Sequence, residues 1–406
     1  MWRCEQPTRI VLAAVAGLVA AALGHPLLAG LAAIPARPRV ALLLVAVIAA
    51  AYGSARVAEL ERAALHPGGE RGHVLVTAAP TGDRAVVREL AAGEDVLLVA
   101  PGYRPQLGEI YVASGRLRPI DPQVRGYYAT QGVHLELRAS RLVPSGHRGG
   151  LWGEVDAAHA AALRRLAAGP DASPARALVA GVTLGETGGL PPEVRQQFRD
   201  SGLYHLLAVS GQNVALVVVF ALGCLAAVGV IGAPARLGAI GATVLYVLVT
   251  GAGPSIVRAG VAGGLVAIAW LASRPIARWH LLACGAAVVL ALNPLDLFNP
   301  GFQLSFAAVW AIFVVAPRLQ PRLGSAVAVS VACTLVTTPI AWWHFGRLAP
   351  LSVPANLLAL PAAAPILVCG LGAIVAGAVW PPLAIPLLAL ADVLAGYLLW
   401  VARVCS

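Results

Sequence analysis

Polar side chains are concentrated in one membrane-length apolar stretch of this sequence, residues 200–220, DSGLYHLLAVSGQNVALVVVF. It contains an imidazole, a hydroxyl and two carboxamides, at His205, Ser210, Gln212 and Asn213. Lipid offers these groups no water, so each needs a protein partner or a water-filled path. The pattern therefore indicates a site or a conduit rather than a plain anchor.

Two interpretations of this stretch are open. On an ideal helix Ser201, His205, Ala208 and Gln212 share one face, which could line a pore. Alternatively, the polar groups make hydrogen bonds between helices, where small residues allow close approach. Gly211 is predicted to break the helix.

A second candidate is Arg258, which follows a predicted helix break at Gly253 and Pro254. A guanidinium inside an apolar span is costly, by about 2.5–3.5 kcal/mol at a helix centre on insertion scales. In a wet pore it could hold a phosphate through paired hydrogen bonds. The alternative is that Arg258 snorkels to the lipid headgroups.

The remaining candidates lie beside predicted breaks in later helices. The polar members are Gln303, Ser305 and Asn356. The breaks are predicted at Gly301, Pro354 and Pro361. Asp296, one of two acids after residue 200, either caps a helix or pairs with Arg258.

The sequence predicts neither a catalytic centre nor a metal site. His205 and Ser210 would point about 140° apart on a helix, so they do not form a nucleophile–base pair. No HxHxDH zinc motif or CxxC pair is present, and the six cysteines lie in apolar segments or at the termini. We therefore expect no enzyme activity, no cofactor and no resident metal.

The elements that must position these residues are mostly membrane helices. Of 406 residues, 59% are hydrophobic and 12% are charged, which is typical of a polytopic membrane protein. All basic residues except histidines are arginines. Residues 57–200 are neutral overall, and the positive charge accompanies the apolar segments.

Four regions are predicted: two membrane helices in 1–58, a β-domain in 59–150, an amphipathic helix and connector in 151–200, and a polytopic domain in 201–406. The first two helices are predicted at 10–31 and 40–58. Eight more, several of them short or broken, are predicted at 203–231, 237–252, 255–272, 280–292, 302–316, 323–341, 351–372 and 380–401. Broken segments are tolerated in membranes where they line a cavity or are buried in protein.

Residues 60–150 contain five short alternating runs separated by Gly and Pro, which predict a small β-barrel of OB type. As an OB domain it could bind nucleic acid through aromatic side chains, here Tyr103, Tyr111, Tyr127 and Tyr128. A structural or docking role is the alternative. The helix predicted at 153–168 either lies at the membrane interface or packs on the barrel.

Arginine positions predict the orientation. Arg236, the pair Arg274 and Arg278, and the pair Arg318 and Arg322 fall in alternate loops, whereas loops 251–254 and 293–301 have no arginine. Placing the arginine loops in the cytoplasm puts residues 57–200 outside the cell. Arg3, Arg9 and Arg347 do not fit this assignment.

Four stretches together resemble the ComEC family of bacterial competence proteins. They are SGLYHLLAVSGQNVALV (201–217), GAGPSIVRAG (251–260), NPLDLFNPGFQLSFAAVWAI (293–312) and TTPIAWWHFGRLAPLSVPANLLALPAAAPIL (337–367). They occur in this order after two apolar helices and a small β-domain. The resemblance covers essentially the whole chain, with the β-domain matching least distinctively.

The resemblance implies a multi-pass inner-membrane channel for single-stranded DNA in natural transformation, with an extracellular OB-like domain. The polar residues and Arg258 would then line the DNA path. The implied partners are single-stranded DNA, an outside DNA receptor, a separate cytoplasmic motor, a possible separate nuclease and membrane lipid.

This sequence departs from the family in having no metallo-β-lactamase-like domain and no cysteine pair in the β-domain. Three explanations of the missing nuclease-like domain stay open: truncation, a separate nuclease, or loss of that step. A permease for another anionic solute and a membrane-anchored OB-type binding module are the alternative functions.

Overall fold

The structure, a computed structural model, describes residues 11–16, 18–19, 39–60, 68–77, 84–103, 105–166, 172–207, 211–250, 260, 263 and 277–406. Most of the helix predicted at 255–272 lies outside these residues. So do four of the site predictions, Ser210, Gly253, Pro254 and Arg258.

A five-stranded closed barrel follows the first described long helix, α1 (Arg39–Leu60). Its strands are β1 (Gly68–Val76), β2 (Arg84–Glu89), β3 (Asp95–Val99), β4 (Glu109–Pro119) and β5 (Leu135–His147). They pair in the order β1-β2-β3-β5-β4, with β1 returning to β4 and only β3 and β5 parallel. Alternating apolar residues fill the interior, as the period of two predicts. The predicted five strands and small barrel are confirmed.

Gly115 explains how β4 and β5 fit together. The register between these strands shifts between Ser114 and Gly115. A Cβ atom at Gly115 would lie 2.2 Å from the carbonyl oxygen of Arg138, so any side chain would push the strands apart. A glycine at such an irregularity permits close backbone approach and closure of the barrel.

Four more helices precede the polytopic region: α2 (Pro122–Ala129), α3 (Gly150–Arg165), α4 (Pro174–Leu184) and α5 (Pro192–Asp200). The helix α2 connects β4 to β5 and was not predicted.

The predicted amphipathic helix is α3, and it contacts two parts of the protein. Arg148 at the end of the barrel forms two hydrogen bonds with Asp156, and His159 Nδ1 lies 2.6 Å from the carbonyl oxygen of Val249. The helix therefore connects the barrel to the helical domain.

The helical domain continues with α6 (Gly211–Ala227), α7 (Ala233–Val249), α8 (Arg278–Leu292), α9 (Pro300–Val314), α10 (Ala316–Leu323), α11 (Ser325–Phe345), α12 (Ser352–Val379) and α13 (Ala384–Val404). Among the described residues, 3₁₀ turns lie before α6 at Tyr204–Leu206, between α8 and α9 at Pro294–Phe298, and between α12 and α13 at Pro381–Leu383. Within the described part, three segments are long and apolar enough to cross a membrane: α11, α12 and Pro381–Val404. The pair α9–α10 is bent by 56° and could form a fourth span.

The helical core is formed by α4, α12 and α13. Small residues such as Ala355, Ala359, Ala391 and Ala395 are fully buried, which lets the helix backbones approach closely. Where α4 meets α12, a Cβ atom at Gly370 would lie 2.2 Å from Thr183 Oγ1. These small residues hold the short helix α4 against the long one.

Two predictions about helix breaks need correction. The α9 helix begins at Pro300, one residue before Gly301. The residues just before Gly211 lie outside those described, so the break predicted there stays a prediction. By contrast, Pro354 and Pro361 do not interrupt α12, which is continuous over 28 residues. Pro354 lies in the first turn, where helix N–H groups have no partner to lose. At Pro361 the remaining hydrogen bonds and the packing of α12 keep the helix continuous.

Candidate nucleic-acid path

The barrel contacts the helical domain at a socket formed by two Asn-Pro pairs. Asn293 Nδ2 donates to the Thr130 carbonyl oxygen at 2.5 Å, and Asn299 Nδ2 donates to Thr130 Oγ1 at 3.4 Å. Their Oδ1 atoms accept from the backbone of Leu295 and Gly301, which caps the helical turns that follow. Each asparagine thus starts a helix and holds the barrel. The cap of α9 is Asn299, so the predicted alternative of Asp296 as that cap is wrong.

Gln303 joins the socket to the end of α11. Its Nε2 donates to the Leu297 carbonyl at 2.9 Å, and its Oε1 lies 2.8 Å from His344 Nε2. Ser305, two residues later, is exposed. We call the ends of α8, α9 and α11 that meet at this socket the barrel side.

Three of the predicted loop arginines, Arg278, Arg318 and Arg322, lie away from the barrel side. The α8 helix begins at Arg278 and ends at the socket, and α9 runs from the socket toward Arg318 and Arg322. The Arg278 guanidinium lies 5.3 Å from the Phe313 ring, which brings these far ends together. The positions of Arg278, Arg318 and Arg322 agree with the predicted orientation.

A polar junction forms where the turn after α5 meets the beginning of α12. Gly202 has a positive φ of 76°, and a Cβ there would lie 2.7 Å from Ser352 Cβ. Ser352 Oγ lies 3.5 Å from Thr334 Oγ1 on α11. Asn356 is half-buried one turn further along α12. The junction thus combines residues from two of the motifs quoted above with α11.

His205, three residues after Gly202 of this junction, and Gln212 on α6 both have exposed side chains. His205 Nδ1 lies 3.0 Å from the Gly202 carbonyl oxygen, which leaves Nε2 available to another partner. The predicted single polar stripe is wrong over its first part, since Ser201 and Gly202 form a turn and Tyr204–Leu206 forms a 3₁₀ turn instead of an α-helix. The exposure of both side chains is nevertheless what a wet path requires.

Asn213 has a different environment. It is buried, and its Nδ2 donates to the Val182 carbonyl at 3.0 Å, while Tyr246 Oη donates to the Thr183 carbonyl at 2.9 Å. These two bonds satisfy carbonyl groups at the C-terminus of α4, which have no partner within their own helix. For Asn213 the geometry favours the interhelical alternative.

Comparison with known proteins decides the family. A family model described as "Competence protein" matches residues 182–406, more than half of the chain and all four motifs. The chain belongs to the competence protein family. The ComEC resemblance inferred from the motifs is thereby confirmed.

Two curated relatives of this competence protein match part of it. ComE operon protein 3 of Bacillus subtilis (strain 168) is 29% identical over 187 residues, 45% of this chain and 24% of that protein. The uncharacterized protein YcaI of Escherichia coli (strain K12) is 29% identical over 206 residues, 46% of this chain and 27% of that protein. The matched part is thus about a quarter of each relative's length. No solved structure matches.

An ion pair within the helical domain of this competence protein was not predicted. Arg176 Nε on α4 donates to Asp392 Oδ1 on α13 at 2.9 Å, with a second bond from Nη2 to Oδ2. Arg176 Nη1 also donates to the Leu166 carbonyl beyond α3. The signal available in the sequence was that Asp392 is the second of only two acids after residue 200.

The four tyrosines of the barrel domain do not form one stacking platform. Tyr127 and Tyr128 pair edge to face on α2, whereas the other two line a cleft of about 330 Å³. That cleft is lined by Tyr103, Gln106, Glu109, Tyr111, Leu142 and Pro144. Burial and a hydrogen bond to Glu109 raise the Tyr111 pKa above its usual range. A carboxylate in the cleft disfavours phosphate, so the docking role of this domain, through Thr130, has the stronger support.

Glu186 lies in the turn between α4 and α5, and its Oε1 accepts from the Gly188 N–H at 2.9 Å. Burial raises the pKa of this carboxyl to about 7, opposed by the smaller effect of the Gly188 bond. Because the folded-state pKa exceeds the unfolded one, the protonated carboxyl favours folding. This stabilisation is complete below the ordinary pKa of 4.5 and is lost as the pH rises through 7.

We therefore expect stability in detergent to fall between about pH 5 and pH 8, by on the order of 1 kcal/mol or more. Glu186→Gln should flatten this dependence and raise the thermal unfolding midpoint at the higher pH. The measurement is the midpoint across that range for both proteins. If the variant keeps the wild-type pH profile, Glu186 is not the group responsible.

Among the described residues, no group of three or more His, Cys, Asp or Glu side chains is placed to hold a metal ion.

Proposed function

We propose that this chain is a cytoplasmic-membrane conduit for single-stranded DNA in natural transformation. The observation that supports it most is the exposure, within a competence-family domain, of His205 beside the polar junction and of Gln212 on α6. An imidazole and a carboxamide next to apolar helices are costly against lipid, so a water-filled path is the better environment. A nucleic-acid strand needs such a path, since its phosphates cannot cross hydrocarbon.

The barrel domain would be of OB type and lie outside the cell. The five-stranded closed barrel supports the first point. The arginines at the opposite ends of α8, α9 and α10 support the second, because arginine-rich loops favour the cytoplasm. The socket would then hold the barrel over the outer end of the conduit.

The proposal gives the chain no catalytic step and no cofactor. An external DNA receptor would deliver the strand, and a separate cytoplasmic motor would draw it inward. Any nuclease that removes the second strand would act as a separate activity. The residues of this chain would supply a wet, polar passage.

The test is uptake of labelled DNA by a competent host whose gene for this chain has been deleted and then restored. The double variant His205→Ala with Gln212→Ala should lower the DNase-protected cytoplasmic label about ten-fold. This corresponds to a loss of about 1.4 kcal/mol of interaction free energy with the strand. Gln320→Ala is the matched control, because Gln320 is exposed on α10, away from the barrel side. Accumulation in the membrane is measured for each variant.

Two results would count against the proposal. Unchanged uptake in the deletion strain would reject the conduit and favour a permease for another anionic solute. Normal uptake by the double variant, with the deletion strain deficient, would reject only the roles of His205 and Gln212.

A further inference from the structure

Three arginines lie close together on the barrel side of the helical domain. Arg195 and Arg199 are one turn apart on α5, and Arg347 lies just after α11. Arg347 Nη1 reaches α5 at Asp200 Oδ1, 3.5 Å away. The α11 end belongs to the barrel side because His344 contacts Gln303. The preference of arginines for cytoplasmic loops does not explain this group, since the loop arginines lie at the other ends of these helices.

The Arg199 guanidinium is positioned to bind an anionic ligand. Its guanidinium lies over the Tyr204 ring, 5.0 Å from the centroid. Tyr204 packs against the buried core, which fixes the position of its ring. Stacking fixes the plane of the guanidinium and leaves its N–H edge for paired hydrogen bonds to phosphate oxygens.

Arg347 can exchange its present partner at little cost. The side chains of Arg347 and Asp200 are 53% and 41% exposed, and exposed pairs contribute about 0–1 kcal/mol. Asp200 also accepts hydrogen bonds from Gln196 Nε2, so it keeps a partner without Arg347. The buried Nε of Arg195 has no hydrogen-bond partner among the described residues. The α5 helix has two carboxylates, Glu193 and Asp200, and two arginines, so Arg347 gives the group its net positive charge.

We propose that Arg195, Arg199 and Arg347 bind the phosphodiester backbone of single-stranded DNA as the strand reaches the polar junction. The inference rests on the proposed function. Tyr204, which supports Arg199, is followed directly by the exposed His205, so the arginine group and the junction are adjacent. Phosphate contacts would position the strand without selecting its sequence.

The experiment measures binding of a labelled oligothymidylate to the full chain in nanodiscs of zwitterionic lipid, by fluorescence anisotropy at several salt concentrations. Arg199→Gln and Arg347→Gln should each weaken binding several-fold. Each should also lower the slope of log affinity against log salt by about 0.7, the value for one lost phosphate contact on a single strand. Arg322→Gln is the control, because Arg322 is exposed at the far end of the helices.

Equal affinity and slope in Arg199→Gln, Arg347→Gln and wild type would overturn the proposal, as would failure of wild type to bind. The same measurement is repeated in nanodiscs that contain anionic lipid. If the two substitutions alter the affinity for DNA only there, the proposal is also overturned, since the arginines would then hold lipid phosphates. Host uptake tests the conduit separately. If the oligothymidylate binds in nanodiscs through these arginines while the deletion strain takes up DNA normally, the conduit is rejected, but the arginine site for anions stands.

Discussion

Replacement of Asn293 and Asn299 together by Asp is expected to release the barrel from the helical domain while leaving the helix starts intact. Aspartate can accept the same bonds from the backbone of Leu295 and Gly301, so both caps remain. It cannot donate to Thr130, so the Thr130 carbonyl loses the Asn293 bond, and the hydroxyl keeps only its own bond to the Tyr127 carbonyl. Each lost bond at a buried site costs about 1–3 kcal/mol.

The measurement is amide hydrogen exchange over residues 122–133, together with the thermal unfolding midpoint. We expect faster exchange in α2 and the turn after it, with exchange in α9 unchanged. Thr130→Ser is the control, because it keeps both the carbonyl and the hydroxyl oxygen. Wild-type exchange over 122–133 in the double variant would show that the socket does not hold the barrel.

Loss of one partner of the Arg176–Asp392 pair is expected to destabilise the helical domain strongly. The two side chains are 18% and 33% exposed and lie between α4 and α13. A fully buried charge that loses its partner costs about 3–5 kcal/mol, and partial exposure reduces this to roughly 2–3 kcal/mol. Arg176→Met and Asp392→Leu should each lower the thermal midpoint and the amount of folded protein.

The double variant Arg176→Met with Asp392→Leu should recover most of this loss, because no unpaired charge remains. Arg347→Gln provides the comparison, since it breaks an exposed pair and should leave the midpoint nearly unchanged. Single variants as stable as wild type, or a double variant that loses the sum of both effects, would contradict a structural role for the pair.

Local patterns in the sequence predicted much of the architecture. The alternating runs of 60–150 became a closed barrel, because each strand has one face that must be buried. The α9 helix starts at Pro300, beside the break predicted at Gly301. The breaks predicted at Pro354 and Pro361 were wrong for different reasons. Pro354 lies in the first turn, where no helix hydrogen bond is lost, and the packing of α12 keeps the helix continuous at Pro361.

The partners of the polar residues could not be predicted, because they lie far away in the chain. Asn213 binds a carbonyl 31 residues earlier, and Asn293 binds Thr130 across 163 residues. The sequence alone indicated that Asn213 is a polar group in need of a partner, and it indicated the family through motifs of adjacent residues. Only the tertiary structure decided which polar groups are satisfied within the protein and which, such as His205 and Gln212, stay exposed. Hydrogen bonds depend on distance in space, and spacing along the chain does not specify that distance once helices have packed.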